Sequence, residues 1–158
     1  MNTQNEKRRF ESFESLVAET GKELGVSDWH KVDQEQINTF AEATGDHQWI
    51  HVDVERSIKE SPYGAPIAHG HLTLSLVPML LSSTIEYLPK TTGINYGLDK
   101  VRFMAPVKAG KRVRGRVSLR SAERTNEKTV KVMFSTIIEI EGEEKPACIA
   151  DSIALYLN

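Results

Sequence analysis

The sequence contains a single cysteine among its 158 residues, so no disulfide can form within the chain. This residue, Cys148, lies between the apolar Ala147 and Ile149 and has no basic neighbour that would favour the thiolate. We therefore expect a packed, unreactive thiol. The segment Met1–Phe10 also lacks the apolar core of a secretory signal, which predicts a cytoplasmic protein.

The chain lacks an excess of charge of either sign. It has 20 Lys and Arg residues against 22 Asp and Glu residues, and its formal net charge is -2. Proteins that bind nucleic acids through bulk electrostatics carry a basic excess, so we expect no nucleic-acid partner. Repeats, low-complexity tracts and long linkers are absent as well, which with the length predicts one domain over residues 1–158.

Charged side chains are missing from one long stretch, between Ser61 and Ile85. A membrane span needs about 20 consecutive apolar residues, but this stretch contains three prolines, two histidines and several hydroxyl residues. It therefore predicts buried core and no membrane partner. Between Leu72 and Leu81 the apolar residues fall on every side of a helical projection, which predicts a helix that is buried all round and kinked at Pro78.

Two further helices are predicted upstream. Apolar residues at helical spacing over residues 10–24 predict an amphipathic helix, which forms a helical extension of residues 1–25. The second helix has a clear start, because Asp33 can cap it and Gln36 stands three residues later, as a capping box requires. Gly45 is placed for a left-handed C-terminal cap.

Strands predominate after Pro89. Apolar and polar residues alternate there with a period of two, which predicts about four long antiparallel strands. Within the first of these strands the apolar residues change from even to odd positions, and a bulge near Asp99 would explain the change. Helices followed by strands indicate an α+β fold, with a sheet wrapped around the buried helix and a second copy of the chain supplying further cover.

Candidate chemistry is concentrated between Asp46 and His71, which contains four of the five histidines. Packing and surface roles account for many histidines. Asp46 and His51, however, lie on one predicted loop and could form an acid–base pair, because the unperturbed pKa of histidine is about 6.5.

Two other functions for this segment are open. His69 and His71 could bind a metal together with Asp46 or His51, although two residues at such spacing point apart at the start of a helix. Gly70 opens the buried helix, where a free backbone N–H could stabilise a carbonyl oxygen as it becomes an enolate.

The segment Ala43–Asp53, with Gly45 and Asp46 followed by His51, resembles the hydratase motif of the MaoC-like dehydratases, especially their NodN-like branch. Residues 68–70 resemble the second signature of that family, and residues 95–107 resemble its next strand and turn. The resemblance extends from Trp29 to the end of the chain.

This resemblance implies a hot-dog fold, in which an antiparallel sheet wraps around a long central helix, and a homodimer. It implies (R)-specific hydration of a trans-2-enoyl-CoA, or dehydration of a 3-hydroxyacyl thioester carried by coenzyme A or an acyl carrier protein. No metal and no cofactor beyond the coenzyme A of the substrate are implied. Asp46 and His51 match the catalytic pair of the family, and Gly70 matches its oxyanion-hole amide.

The candidate substrate-binding residues are Gln48, Trp49, His69, Asn95 and Arg102. Gln48 and Trp49 stand where many members of the family have Asn-Pro. Gln48 can still donate and accept hydrogen bonds, whereas the bulk of Trp49 changes the entrance to the site. Arg102 is a candidate for contact with the phosphates of coenzyme A. A hot-dog thioesterase and a non-catalytic acyl-thioester binder are the alternative functions.

Overall fold

The computed structural model describes residues 6–87, 89 and 91–157. In chain order the elements are β1 (Arg8–Phe10), α1 (Phe13–Val17), β2 (Glu23–Val26), β3 (His30–Lys31), α2 (Gln34–Thr44), α3 (Trp49–Val52), α4 (Val54–Glu60), α5 (Gly70–Ser75), α6 (Val77–Thr84), β4 (Ile85–Tyr87), β5 (Thr92–Phe103), β6 (Arg112–Asn126), β7 (Thr129–Ile140) and β8 (Cys148–Leu157).

The main sheet has the strand order β2-β6-β7-β8-β5, with β3 beside β6, and its neighbouring strands are antiparallel. The four long strands predicted after Pro89 are therefore confirmed. Helices α5 and α6 pack on one face of this sheet, and a hypothetical Cβ at Gly115 of β6 would lie 3.0 Å from the Cβ of Leu80. The sheet thus encloses one side of the central helix, as the α+β prediction requires.

The N-terminal segment differs from the predicted helical extension of residues 1–25. Among the described residues 6–25 only Phe13–Val17 is helical, while Arg8–Phe10 pairs in parallel with β4 and Glu23–Val26 pairs with β6. Residues 1–5 of the predicted extension lie outside the described residues. Gly21 interrupts the helical spacing in a left-handed conformation with a φ of 83°. The apolar side chains of this segment are buried in a core cluster with β6 and β7, so packing against the sheet overrides the local periodicity.

Helix α2 forms where its caps predict. The carboxylate of Asp33 accepts a hydrogen bond from the N–H of Gln36 at 2.9 Å, and Gly45 ends the helix in the left-handed region with a φ of 77°. The second half of the capping box differs, because the side-chain oxygen of Gln36 lies 3.0 Å from the His30 ring nitrogen instead. The predicted loop between Asp46 and His51 is shorter than expected, since Trp49–Val52 forms a helical turn.

The central helix consists of α5 followed by α6. It is broken at Leu76, and Pro78 lies in the first turn of α6. The predicted kink is therefore confirmed. Burial all round is wrong for the isolated chain, because one side of the helix pair is exposed at His71, Ser75, Pro78, Met79 and Ser82. Within the described residues, no helix has the length and apolar character needed to cross a bilayer.

Strand β5 lies at the edge of the sheet beside β8 and is exposed along almost its whole length. Its apolar side chains include Tyr96, which is 65% exposed, and Leu98, which is 48% exposed. The pairing register shifts between Leu98 and Lys100, which confirms the predicted bulge near Asp99, and shifts again between Asn95 and Gly97.

Cys148 is fully buried at the start of β8. Burial raises the pKa of its thiol to about 11, because the charged thiolate is poorly solvated there. The predicted packed, unreactive thiol is therefore confirmed.

Candidate active site

The imidazole of His51 lies at the centre of the candidate site and is 8% exposed. The short helix α3 directs its Nδ1 to the backbone carbonyl of Ile67 at 2.7 Å. A carbonyl oxygen only accepts hydrogen bonds, so Nδ1 carries the hydrogen and Nε2 of the neutral ring keeps the lone pair. The amide of Gln34 on α2 donates to the backbone carbonyl of His51 at 2.7 Å and ties α3 to α2.

The environment of His51 favours the neutral ring. Its pKa lies below the ordinary 6.5, mainly because burial penalises the imidazolium. The hydrogen bond to Ile67 opposes this shift, the charge of His69 adds to it, and the carboxylate of Asp46 opposes it. The ring is therefore neutral at pH 7 and able to accept a proton through Nε2.

Asp46 follows the glycine that ends α2 and is exposed. Its side chain accepts a hydrogen bond from the N–H of Gln48 at 3.3 Å, while its backbone carbonyl accepts one from Nε2 of His69 at 2.9 Å. One carboxylate oxygen of Asp46 and one ring nitrogen each of His51 and His69 lie within 4.8 Å of one another. The structure thus brings Asp46 and His51 together and adds His69.

His69 is buried against the predicted pair, with 3% of its surface exposed. Its ring stacks on that of His51, with centroids 3.8 Å apart and planes 26° apart, and Phe40 packs on it at 4.9 Å. Nδ1 of His69 is buried and has no hydrogen-bond partner among the described residues. Sequence reasoning did not identify Phe40 or Gln34, because no local signal relates Phe40 to His69 or Gln34 to His51.

The spacing of Asp46, His51 and His69 is compatible with metal ligation, but the stacked rings are not favourable for it. A metal lies in the plane of each imidazole ring that binds it, at about 2.0–2.1 Å for zinc. Two planes only 26° apart, with centroids separated by 3.8 Å, do not meet that close to both rings. His71, the other member of the predicted metal pair, is exposed and packs towards Phe103.

Gly70 begins α5 directly after His69, and the ring of Phe103 from β5 covers it. A Cβ added at Gly70 would lie 3.1 Å from Cγ of Phe103, which is too close without a shift of the ring. Both residues line a cavity of about 360 Å³, together with Tyr63, Ile67, Ala68, Thr73, Met104, Ala105, Pro106, Val107 and Ala147. Sequence reasoning did not identify Phe103, which reaches Gly70 from a strand 33 residues further along the chain.

A larger apolar groove of about 700 Å³ runs between the exposed side of the central helix and β5. Its helical wall begins at Leu74, about one turn after Gly70. Asn95 lies in the opposite wall, and Tyr156 contributes from β8. Asp46 and His51 do not line this groove, so the chemistry would occur at one end of the helix and the apolar space extends along it.

The remaining predicted substrate contacts are Gln48, Trp49 and Arg102, and none of them lines either cavity. Gln48 is exposed and precedes α3, whereas Trp49 is half-buried beneath the guanidinium of Arg56, which lies 4.2 Å from the ring centroid. Arg102 is exposed on β5 and donates to the carbonyl of Val101 at 2.7 Å. It directly precedes Phe103 on β5 but does not line the cavity beside Gly70.

The chain is similar to a known protein family and to two curated relatives. The family described as MaoC like domain matches residues 15–141. The chain is 49% identical over 150 residues to 3-hydroxyacyl-thioester dehydratase Z of Mycobacterium tuberculosis, covering 95% of this chain and 99% of that protein. It is 44% identical over 145 residues to Nodulation protein N of Rhizobium meliloti, covering 91% of this chain and 90% of that protein.

A solved structure is also similar, that of the monoamine oxidase regulatory protein from Archaeoglobus. The two chains are 26% identical and superpose with a TM-score of 0.76, over 96% of this chain and 97% of that one. The likeness therefore extends over nearly the whole fold of both chains.

Proposed function

Because this chain belongs to the family of MaoC-like domains and has their hot-dog fold, we propose that it is a hydro-lyase acting on acyl thioesters. It removes water from a 3-hydroxyacyl thioester or adds water to the trans-2-enoyl thioester, with (R) stereochemistry at C3. A relative that is 49% identical is named a 3-hydroxyacyl-thioester dehydratase, which supports this reaction class. The observation that carries the proposal is the neutral, buried His51 beside the Asp46 carboxylate.

In the hydration direction, His51 acts as the base. Its Nε2 takes a proton from a water molecule, and the hydroxyl group adds to C3 of the enoyl thioester. Asp46 orients that water through its carboxylate, which then passes the proton from the His51 imidazolium to C2, so that both groups return to their starting protonation states. The neutral state of His51 and the exposed carboxylate next to it support this division of roles.

Electron density moves to the thioester oxygen during this addition. The N–H of Gly70, at the start of α5, donates to the enolate oxygen and stabilises it. A donor of this kind is typically worth about 3 kcal/mol in the transition state. The absence of a side chain at Gly70 leaves room for the ring of Phe103 over the start of α5, and the apolar groove further along the helix is a suitable site for the acyl chain.

The proposed enzyme needs no metal and no cofactor beyond coenzyme A of the substrate, because acid, base and oxyanion donor all come from the chain. We also propose a homodimer. The exposed apolar edge of β5 and the exposed side of the central helix support it, since a monomer rarely leaves a long apolar edge strand uncovered.

The function is tested by following the enoyl absorbance of trans-2-enoyl-CoA esters of increasing chain length, with the configuration of the 3-hydroxy product determined. We expect hydration to the (R) product and a loss of at least about a hundredfold in kcat for Asp46→Asn and for His51→Ala. Near-normal rates in both variants would contradict the assigned pair.

The same assay separates the alternative functions. A thioesterase would release free thiol, which a thiol-reactive dye detects. A non-catalytic binder would raise its melting temperature with an acyl-CoA and show no turnover. Either result would replace the proposed hydro-lyase activity.

A further inference from the structure

The ring of His69 makes three contacts, and two of them involve the proposed catalytic pair. Its Nε2 donates to the backbone carbonyl of Asp46 at 2.9 Å. Its face stacks on His51 at 3.8 Å, and Phe40 packs against it at 4.9 Å. Since His69 is 3% exposed, these contacts define its surroundings.

Neither nitrogen of His69 is presented to a ligand. The donor, Nε2–H, already serves the carbonyl of Asp46. Nδ1 then carries the lone pair, and it is buried without a partner among the described residues. The expectation that His69 binds substrate therefore has no exposed polar atom to support it.

The contacts of His69 instead connect groups that are distant in the sequence. Asp46 stands in the short loop after α2, 23 residues before His69, and the bond to its carbonyl ties that loop to the start of α5. The ring plane of His51 is oriented at one edge by Ile67 and across one face by His69. One rigid side chain thus limits the movement of both members of the pair relative to each other.

We propose that His69 is a positioning residue, which holds the backbone of Asp46 and the face of His51 at the separation that proton transfer requires. This role rests on the proposed function, because it assigns His69 to the same site. Misplacement of reacting groups by about 1 Å is enough to lower a rate by about a hundredfold. His69 therefore affects the rate without contact with the substrate.

Two substitutions separate the contacts. His69→Phe keeps a flat ring for the stack on His51 but loses the donor to Asp46, and His69→Gln keeps a donor but loses the ring. We expect each to lower kcat by about 10- to 100-fold while KM stays within about twofold. His30→Gln is the matched control, because His30 lies on β3 and its ring contacts the side chain of Gln36, with no contact to Asp46, His51 or His69 among the described residues. It should retain wild-type kinetics.

The outcomes are distinct. A higher KM with an unchanged kcat in either His69 variant would make His69 a substrate contact. Kinetics like those of His30→Gln would remove its role. Both results overturn the proposal. Absence of turnover by the wild type would reject the proposed function, and NMR of the wild type would still test His69. We expect His69 to be the Nε2–H tautomer with a slowly exchanging proton. An Nδ1–H tautomer would overturn the positioning role. This measurement uses the wild type, so it holds even if the variants do not fold.

Discussion

At the scale of single residues, the neutral state of His51 is the property on which the proposed chemistry depends. Burial and the charge of His69 favour the neutral ring, while the carbonyl of Ile67 and the carboxylate of Asp46 favour the imidazolium. Burial is the largest of these effects, so the pKa lies below 6.5. The base thus remains unprotonated across the neutral range.

We predict that His51 titrates below pH 6.5 in the folded protein. Asp46→Asn should lower the midpoint further, because the carboxylate is the nearby charge that favours imidazolium. The measurement is an NMR titration of the His51 ring, assigned by comparison with His51→Ala. A midpoint above 6.5, or an upward shift in Asp46→Asn, would contradict this account.

The same shift makes a contribution to stability whose sign follows from linkage. Between the folded-state pKa of His51 and 6.5, the unfolded chain binds more protons at His51 than the folded chain does. The stabilisation of the fold by the neutral His51 is therefore complete above pH 6.5. It decreases as the pH falls from 6.5 towards the folded-state pKa. The pH dependence of the unfolding free energy should therefore be weaker below pH 6.5 in His51→Gln than in the wild type.

We predict that Gly70→Ala lowers kcat/KM by about 10- to 100-fold with a smaller effect on stability. The added Cβ would lie 3.1 Å from Cγ of Phe103, so the ring must shift away from the start of α5. Steady-state kinetics with an enoyl-CoA substrate measure the loss. The double variant Gly70→Ala/Phe103→Leu removes the close contact and should recover part of the lost kcat/KM. Wild-type kinetics in Gly70→Ala would show that the position of the Phe103 ring over Gly70 does not affect catalysis.

At the scale of elements, helix α2 links fold stability to the site. Its N-terminal cap is Asp33, its C-terminal cap is Gly45, and Asp46 follows immediately. Gln34 in its first turn also holds the backbone of His51. Fraying of α2 at either end would therefore disturb one member of the proposed pair.

We predict that Asp33→Ala lowers the unfolding free energy by about 1 kcal/mol, because the N–H of Gln36 loses its acceptor. For a chain of this length this corresponds to a decrease of about 2–4 °C in Tm. Asp33→Asn keeps a side-chain acceptor and is the matched control. Thermal melts that show equal losses for Ala and Asn would exclude the cap as the cause.

At the scale of the whole molecule, two exposed surfaces border the same groove. The exposed side of α5 and α6 forms one wall, and the edge strand β5 forms the other. A second copy that pairs along β5 would cover both and would narrow the groove around an acyl chain. Assembly and substrate binding are therefore coupled in the proposed enzyme.

We predict that Leu98→Asp shifts the protein from dimer to monomer in sedimentation velocity, because a charge would be buried at the edge of β5. The effect should be visible at micromolar concentration. Ser121→Asp, at an exposed position on β6, introduces the same charge away from this edge and should leave the dimer intact. A wild-type protein that sediments as a monomer would contradict the homodimer itself.

The sequence by itself determined the features that depend on residues close together in the chain. The caps of α2 at Asp33 and Gly45, the kink at Pro78 and the bulge near Asp99 all follow from backbone preferences and hydrogen bonds over a few residues. The period of two predicted the four long strands for the same reason. Asp46 and His51 were identified as candidates because they stand on one short segment.

Only the tertiary structure decided the features whose partners are distant in the sequence. Residues 10–24 have helical periodicity, yet packing against β6 and β7 converts most of the segment to strand and turn. The carbonyl of Ile67 that orients His51, and the ring of Phe103 over Gly70, leave no local signal. Such contacts arise when the sheet closes on the central helix, and this closure sets the protonation state and orientation of the catalytic candidates.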